Sequence, residues 1–379
     1  MTGPNPPRRI LLVSSPRTAS NLLLRILNLK DQARVLTNEG GGYFFFPAFG
    51  TCTKEGRLAK TRDQWTAEDR QDVQSAYQSC VNQLEDWTAR AAQDDKIFFA
   101  KEHAFWIFDP TSIHKLGATA YSATANANGQ AATNGSSPHE PLFRLQFPAS
   151  YGACNSWSGA NETTFPDEYL RTWRLAFVIR HPALMCPSFY RAMKKMVALG
   201  VLKEHEVPGV LATNMSLQWP RMLYDWSVEQ GIAGAEPLIL DAHDIINNPQ
   251  SVVKFSEQLG LDPSQLIFEW KANTPKNENG SPQNGAQENG TQRSEAPKDN
   301  ASSSLDNLQH NKEAQKIMLG SLTASSGLLK EKAPENVDIA AEVSKWNEEF
   351  GEEAARFVEK AVLAAMPDYE YLKERRLRA

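Results

Sequence analysis

The sequence predicts an α/β protein with a central parallel sheet flanked by helices on both faces, in three layers. Two observations lead to this class. Short runs that are apolar at nearly every position recur along the chain, as expected of strands buried on both faces. Between them lie segments whose apolar residues recur every three or four positions, which indicates amphipathic helices. This alternation is typical of a parallel sheet with helical crossovers.

The predicted order is strand, helix, a long connection, strand, an insertion, strand, two helices, strand and helix. The predicted strands are Ile10–Val13, Lys96–Ala100, Leu175–Arg180 and Glu236–Asp241. We expect Ser20 or Asn21 to cap the first helix and Thr66 to cap a long second one. Pro182 should begin the helix after the third strand. An amphipathic segment at 337–366 should pack onto the sheet, with these residues facing inward: Val343, Trp346, Phe350, Phe357 and Ala361.

The whole chain, 1–379, is expected to form one domain, which its length allows. Two low-complexity insertions interrupt it. Residues 117–141 are rich in Ala, Thr, Asn, Gly and Ser, and residues 273–311 are nearly all Asn, Gly, Gln, Ser, Lys and Glu. Neither composition can bury a core, so we expect a mobile loop and a disordered segment.

Composition limits the function classes. Hydrophobic residues make up 41% of the chain, and the formal charge of −5 argues against a nucleic-acid binder. The four cysteines show no C-x-x-C spacing, which indicates reduced thiols, and no run is long enough for a signal peptide or a membrane span. We therefore expect a cytoplasmic protein with no membrane partner, and a homodimer is compatible with the sequence. No metal is expected, because no His, Cys or carboxylate cluster has ligand spacing.

Polar segments follow three of the predicted strands. The loop Ser14 to Ser20 combines hydroxyls, Arg17 and a helix N-terminus, a combination that attracts an anion. The Walker A pattern is absent, because this loop has neither glycine nor lysine, and an ordinary strand-to-helix turn remains an alternative. Lys101 and His103 follow the second strand and project on one side, where a histidine can act as a base or simply as a structural hydrogen-bond partner.

The third polar segment runs from Arg180 to Ser188. Arg180 ends a strand, and Ser188 lies eight positions later in the following helix. A fixed cation and a hydroxyl at this spacing can both contact one phosphate.

These segments together resemble the sulfotransferase family, which uses 3′-phosphoadenosine 5′-phosphosulfate (PAPS) on a fold like that of the P-loop NTPases. The loop Ser15 to Asn21, SPRTASN, is similar to the family's 5′-phosphosulfate loop, with Ala19 in place of the usual glycine and Asn21 in place of a threonine. Lys101-Glu102-His103 is similar to the lysine-x-histidine that carries the general base, and Arg180 to Ser188 resembles the 3′-phosphate motif.

Two further family features are altered. The tryptophan that stacks on adenine is replaced by Leu22 or Leu23, and the C-terminal phosphate loop has only a diverged counterpart, Ser325-Ser326-Gly327 with Lys330 or Lys332. A later strand-helix unit, from Leu238 to Leu261, resembles its counterpart in the family.

The resemblance implies roles for individual residues. His103 would be the general base, Arg17 would neutralise charge on the bridging oxygen, and Lys101 would give electrostatic support. The residues implied in binding the donor PAPS are Arg17, Thr18, Ala19, Ser20, Asn21, Arg180 and Ser188.

The acceptor predicted from the sequence is a small apolar or phenolic alcohol. The aromatic residues that either line such a pocket or pack into the core are Tyr43 to Phe49, Phe105, Trp106 and Phe108. The Asn- and Gly-rich insertions resemble those of filamentous-fungal sequences, in which such enzymes often act in secondary metabolism. The alternatives are a P-loop nucleotide-binding protein or kinase that uses ATP or GTP, and a non-catalytic protein of sulfotransferase-like fold.

Overall fold

A computed structural model of the protein describes residues 8–114, 139–232, 234–270, 316–318 and 326–378. These residues form a five-stranded sheet in which every pairing is parallel and the strand order is β2-β3-β1-β4-β5. The strands are β1 (Arg9–Ser14), β2 (Val35–Leu36), β3 (Ile97–His103), β4 (Arg174–Ile179) and β5 (Leu238–Asp241). The predicted α/β class with a parallel central sheet is confirmed. The two-residue edge strand β2 is too short to give a sequence signal.

Helices connect the strands in the described part of the chain. They are α1 (Ser20–Leu27), α2 (Phe46–Thr53), α3 (Ala67–Gln93), α4 (Asp167–Leu170), α5 (Pro182–Ala198), α6 (Val207–Asn214), α7 (Gln218–Gln230), α8 (Ala242–Asn247), α9 (Pro249–Gln258), α10 (Ile339–Phe350) and α11 (Glu352–Glu374). None of these helices is both long enough and apolar enough to span a lipid bilayer.

Both faces of the sheet are buried. Leu11 and Val13 of β1 belong to a large hydrophobic cluster with residues of α2, α3, α5, α7 and α11. Ile10 and Leu12, which alternate with them, belong to a second cluster with residues of α1, α8 and α9. Because successive side chains of a strand point to opposite faces, this division gives the three predicted layers.

The start of α1 differs from the prediction. Its N-cap is Ala19, in the left-handed conformation at φ 65° and ψ 15°, and no side chain caps it; Ser20 and Asn21 already lie inside the helix. The predicted caps elsewhere are confirmed. Thr66 forms a capping box at the start of α3, and Pro182 is the first residue of α5.

The C-terminal amphipathic segment is two helices separated by Gly351, whose φ is 84°. Because the helix is interrupted at Gly351, the spacing of three and four residues does not continue from α10 into α11, and the residues of α11 that face inward are not the predicted ones. Val358 and Val362 are fully buried, whereas Phe357 is 36% exposed. The predicted packing onto the sheet is confirmed for α11, which contacts β4 and β5, whereas Trp346 of α10 is buried in the large cluster and α10 contacts α11 and α5.

The predicted insertion at 273–311 lies outside the described residues, as does the one at 117–141 except for its last three positions. Of these, His139 is buried, and its Nδ1 lies 3.0 Å from a carboxylate oxygen of Glu162.

The loop before α2 is held against the end of β3. Asn38 Oδ1 accepts a hydrogen bond from the N–H of Gly42 at 2.7 Å, and the N–H of Tyr43 donates to the carbonyl of Lys101 at 2.7 Å. A Cβ on Gly42 would lie 2.1 Å from that carbonyl oxygen, and its φ is +149°. Only glycine allows this approach, which places Tyr43 over β3.

We expect Gly42→Ala to lower the free energy of unfolding by roughly 3 kcal/mol or more, because the new methyl group would push the loop off β3. Urea unfolding measures this change. Gly50→Ala is the matched control, since a Cβ there meets no atom within 4 Å and Gly50 lies in α2. Equal stability of the two variants would show that the close contact is not a constraint.

Candidate active site

A cavity of about 130 Å³ lies at the carboxyl edge of the sheet. Its position follows from the fold, because β1, β3 and β4 are adjacent and parallel: polar segments follow β1 and β4, and β3 ends in Lys101-Glu102-His103. Predicted site residues from all three segments line it: Arg17, Ala19, Ser20, Asn21, His103 and Arg180.

The loop between β1 and α1 is tightly wound. Arg17 and Ala19 have φ of 68° and 65°, which is uncommon for residues other than glycine. The hydroxyl of Thr18, a residue predicted to bind PAPS, donates a hydrogen bond to the Ser15 carbonyl within the loop at 2.7 Å. The Ser15 hydroxyl donates to the Ser216 carbonyl at 3.1 Å. The loop is therefore held by its own hydroxyls, and Ala19 takes up the conformation for which glycine is the usual residue.

Arg17 is held at two points. Its Nε donates to the Ser188 hydroxyl at 2.9 Å, and its Nη1 donates to the Met318 carbonyl at 2.6 Å. Burial, and then the neighbouring charge of Arg191, lower the pKa of Arg17 from its ordinary value. Ser188 therefore contacts Arg17 in this structure, and its predicted contact with a phosphate shared with Arg180 stays a prediction.

Arg180 reaches the same loop from the end of β4. Its Nη1 donates to the Arg17 carbonyl at 3.0 Å, and its Nη2 donates to the Lys332 carbonyl at 2.7 Å. Its buried Nε has no hydrogen-bond partner among the described residues. Burial first, and then the charge of Arg17, lower its pKa to about 10. Two half-buried guanidinium groups thus line one cavity, an arrangement that favours a multiply charged anion.

His103 faces the cavity from the end of β3 and is only 4% exposed. Its Nδ1 lies 3.1 Å from the Ser14 hydroxyl oxygen, which in turn is 3.5 Å from the Glu102 carbonyl. If the hydroxyl donates to that carbonyl, Nδ1–H donates to Ser14 and Nε2 is left to accept a proton; we assign this tautomer. Burial, followed by the charge of Lys101, holds the pKa of His103 well below its usual value, so the ring is neutral near pH 7.

Lys101 is fully buried and does not line the cavity itself. Its Nζ donates to Asn21 Oδ1 at 2.6 Å and to the Tyr43 hydroxyl. Burial lowers its pKa well below the ordinary value. Glu102 points to the opposite face of β3, where its carboxylate accepts the N–H of Phe44 at 2.5 Å, and burial raises its pKa to about 8.

The C-terminal part of the described chain closes the cavity. Met318, Gly327, Leu329 and Lys332 line it. Gly327 and Lys332, which belong to the diverged counterpart of the family's C-terminal phosphate loop, therefore line the same cavity as Arg180, and Ser325 lies outside the described residues. Leu22 also lines the cavity, whereas Leu23 is buried in the core.

The aromatic residues divide between cavity and core. Tyr43 lines the cavity. Phe46 is 44% exposed, and its ring centroid lies 5.3 Å from that of Trp106, which is 4.6 Å from His103. The remaining rings pack into the core: Phe44, Phe45, Phe49, Phe105 and Phe108.

Two site residues were not singled out from the sequence. Ser14 ends the apolar run of β1, and only the pairing of Ser14 with His103 in the sheet shows its role. Tyr43 was predicted only as one ring among several. Its place beside Lys101 depends on the Gly42 contact with β3, for which the Gly40-Gly41-Gly42 run was the available signal.

Fold and cavity together define an α/β protein with a parallel central sheet and with two arginines, a histidine and a helix N-terminus at one edge of that sheet. Comparison with known proteins gives the family. Sulfotransferase ppzF of Metarhizium rileyi (strain RCEF 4871) is 32% identical over 388 residues, which cover 99% of this chain and 98% of that protein. Sulfotransferase ppzF of Metarhizium majus (strain ARSEF 297) is 32% identical over 384 residues, covering 98% of each.

The chain belongs to the sulfotransferase family, an enzyme family that transfers sulfuryl groups. The membership predicted from the sequence is confirmed, and both relatives are fungal. No family model matches the sequence. A solved structure, the sulfotransferase domain from the Synechococcus PCC 7002 olefin synthase, is 13% identical in a match that covers 69% of this chain and 76% of that domain, with a TM-score of 0.28.

The depressed pKa of His103 predicts a pH dependence of stability. Below an unfolded-state pKa of about 6.5, the unfolded chain binds a proton at His103 that the folded chain excludes. Stability therefore falls as the pH drops below that value. Between pH 7 and pH 5 the wild type should lose up to about 2 kcal/mol more than His103→Gln, as measured by urea unfolding.

His205→Gln serves as the control, because His205 is exposed. It should follow the wild-type curve. Parallel curves for the wild type and His103→Gln would mean that His103 titrates alike in the folded and unfolded chains.

Proposed function

We propose that the chain transfers a sulfuryl group from PAPS to a hydroxyl of a small apolar or phenolic acceptor, in the cytoplasm. The observation that supports this most is that Arg17, His103 and Arg180, which come from three separate motifs, line one cavity. Sulfuryl transfer needs an oxygen nucleophile with a base beside it and cations where charge develops on the leaving phosphate. This cavity offers both.

The donor carries an anionic group at each end of its ribose, and the residues present fit both. Arg17 and the uncapped N-terminus of α1 suit a 5′-phosphosulfate. Arg180 suits the 3′-phosphate, because its buried Nε has no hydrogen-bond partner in the described part of the chain. Lys332 lines the same cavity and belongs to the diverged counterpart of the family's C-terminal phosphate loop.

The cavity is smaller than a bound nucleotide requires, since ligand pockets commonly measure about 300–1,000 Å³. Each arginine also donates to a backbone carbonyl, Arg17 to that of Met318 and Arg180 to that of Lys332. We propose that phosphate oxygens replace these two carbonyls and that the segments bearing them shift outward. The exchange is favourable because a hydrogen bond to an anion is stronger than one to a carbonyl.

The proposed mechanism assigns one task to each residue. His103 Nε2 takes the proton of the acceptor hydroxyl, and Ser14 keeps the ring in the tautomer that allows this. Arg17 stabilises the negative charge that grows on the bridging oxygen. Lys101 places a positive charge behind His103. Together with burial, this charge lowers the pKa of His103 and so keeps the ring neutral before the reaction. The acceptor would approach His103 near Trp106 and the exposed ring of Phe46.

The proposal predicts which nucleotides bind. 3′-Phosphoadenosine 5′-phosphate should raise the melting temperature more than AMP, ATP or GTP, because only it presents a 3′-phosphate to Arg180. Arg180→Ala should weaken 3′-phosphoadenosine 5′-phosphate binding about ten- to a hundredfold and leave AMP binding nearly unchanged. Thermal shift and calorimetric titration measure both effects.

Arg356→Ala is the matched control, since Arg356 is exposed on α11 and pairs with Glu352. It should bind like the wild type. Greater stabilisation by ATP or GTP than by 3′-phosphoadenosine 5′-phosphate would favour the kinase alternative. Equal losses of both adenosine nucleotides in Arg180→Ala would remove the assigned contact.

The base assignment has its own test. His103→Ala should lower the transfer rate from PAPS to simple phenols such as 2-naphthol by about 10²- to 10⁴-fold, because the proton acceptor is gone. Its affinity for 3′-phosphoadenosine 5′-phosphate should stay within a few-fold of the wild type. Transfer of radiolabelled sulfate measures the rate.

An alanine variant as active as the wild type would exclude His103 as the base. A wild type that binds the nucleotide but transfers nothing to any phenol or aliphatic alcohol tested would favour the non-catalytic alternative.

A further inference from the structure

Tyr43 lies where three of the predicted site residues meet. Its hydroxyl donates to Asn21 Oδ1 at 3.1 Å and accepts from the ammonium of Lys101. Its ring lies under that ammonium, with Nζ 4.0 Å from the ring centroid, and its edge packs against His103 at a centroid distance of 5.2 Å. One side chain therefore touches the first turn of α1, the Lys101 ammonium on β3 and the candidate base.

The buried ammonium of Lys101 depends on these contacts. An isolated ammonium inside a protein is strongly disfavoured unless it is paired or hydrogen-bonded. In the described parts of the chain, the acceptors recorded for Nζ are Asn21 Oδ1 and the Tyr43 hydroxyl, and the ring of Tyr43 adds a cation–π contact. Glu102 cannot serve, because its carboxylate is bound to backbone N–H groups on the other face of β3.

The backbone is strained to hold Tyr43 in this place. Its φ is 64°, in the left-handed region that a bulky aromatic residue rarely adopts. Its N–H bonds to the Lys101 carbonyl, and Gly42 approaches the same peptide too closely for any side chain. Strain of this kind is found at functional sites, where the surrounding structure imposes it.

We propose that Tyr43 is a positioning residue: with Asn21 as its anchor, it fixes the Lys101 ammonium behind His103 and so sets the positive charge that the base faces. This inference rests on the proposed function, since it assigns a role within that reaction. Tyr43 does not exchange protons with the substrate. Burial raises the pKa of its hydroxyl, which stays neutral and serves as a hydrogen-bonding group.

The charged groups around His103 determine the direction of the effect. Lys101 and Glu102 lie on its own strand, and Arg17 and Arg180 face it across the cavity from the segments after β1 and β4. Among them, the charge of Lys101 lowers the pKa of His103. Without the Tyr43 hydroxyl, Lys101 loses an acceptor and holds its proton less firmly. The pKa of His103 should then rise.

The test is a double-mutant cycle on Tyr43→Phe and Lys101→Met. Each single variant should move the titration of the His103 ring, followed by NMR in the protein without ligands, to higher pH. The acid limb of kcat/KM should move the same way, and kcat should fall about tenfold. In the Lys101→Met background, Tyr43→Phe should cause no further shift, because the charge it positions is already gone.

Tyr371→Phe is the control, because the Tyr371 hydroxyl also donates a hydrogen bond, at 2.7 Å to the half-buried carboxylate of Asp225. It should leave the titration and kcat unchanged. Equal shifts by Tyr43→Phe in both backgrounds, or no shift in either, would overturn the inference. Tyr43→Phe keeps the ring and should fold, and Lys101→Gln provides a second way to remove the charge.

Binding of 3′-phosphoadenosine 5′-phosphate separates this inference from the proposed function. Tyr43→Phe should bind the nucleotide within a few-fold of the wild type. If the wild type binds it and His103→Ala is inactive while the cycle is additive, the role of Tyr43 fails and the proposed function stands. If the wild type does not bind it, the proposed function fails, and the NMR arm of the cycle still tests the contact between Tyr43 and Lys101.

Discussion

The parallel register of β1 between β3 and β4 is the constraint on which the site depends. Ser14, the last residue of β1, pairs with His103 on one side and with Val178 on the other. Because all three strands run the same way, the segments that follow them leave the sheet at one edge. The register therefore brings together a loop, a base and an arginine that are separated by up to 163 positions in the chain. A shift of one residue in this pairing would turn His103 to the other face.

The second feature that shapes the site is its excess of buried positive charge. Arg17 and Arg180 line the cavity and Lys101 lies behind it. Of the described carboxylates near them, Glu102 faces away, and Asp241 offsets only part of the lowering of the Arg180 pKa. Burial lowers the pKa of each of the three cations, which means that the folded protein holds them at a cost. Backbone carbonyls, Asn21 and Tyr43 offset part of it. A site with an excess of cations is suited to bind an anion, and this cost favours the proposed exchange of carbonyl oxygens for phosphate oxygens.

Backbone strain accompanies this charge. Arg17, Ala19 and Tyr43 all have φ near 65°, and all three line the cavity. Glycine would adopt this conformation more easily at Ala19. Hydrogen bonds hold both strained segments in place. The hydroxyls of Ser15 and Thr18 fix the loop after β1, and the carbonyl of Lys101 fixes Tyr43 in the loop before α2. The surrounding structure therefore supports the strained residues of the site.

The sequence by itself determined the fold class, four of the strands, and the three segments that carry Arg17, His103 and Arg180. These follow from local signals: apolar runs, helical spacing and polar residues at strand ends. The sequence could not determine the cap of α1, the rotated face of α11 or the contacts of Ser188 and Thr18, because each depends on backbone angles or on partners distant in the chain. The tertiary structure decided that Lys101 lies behind the cavity and that Tyr43 covers it. The reason is that a buried charge needs partners that are close in space. Residues on neighbouring strands can be close in space and far apart in the chain, so sequence spacing does not show which of them are in contact.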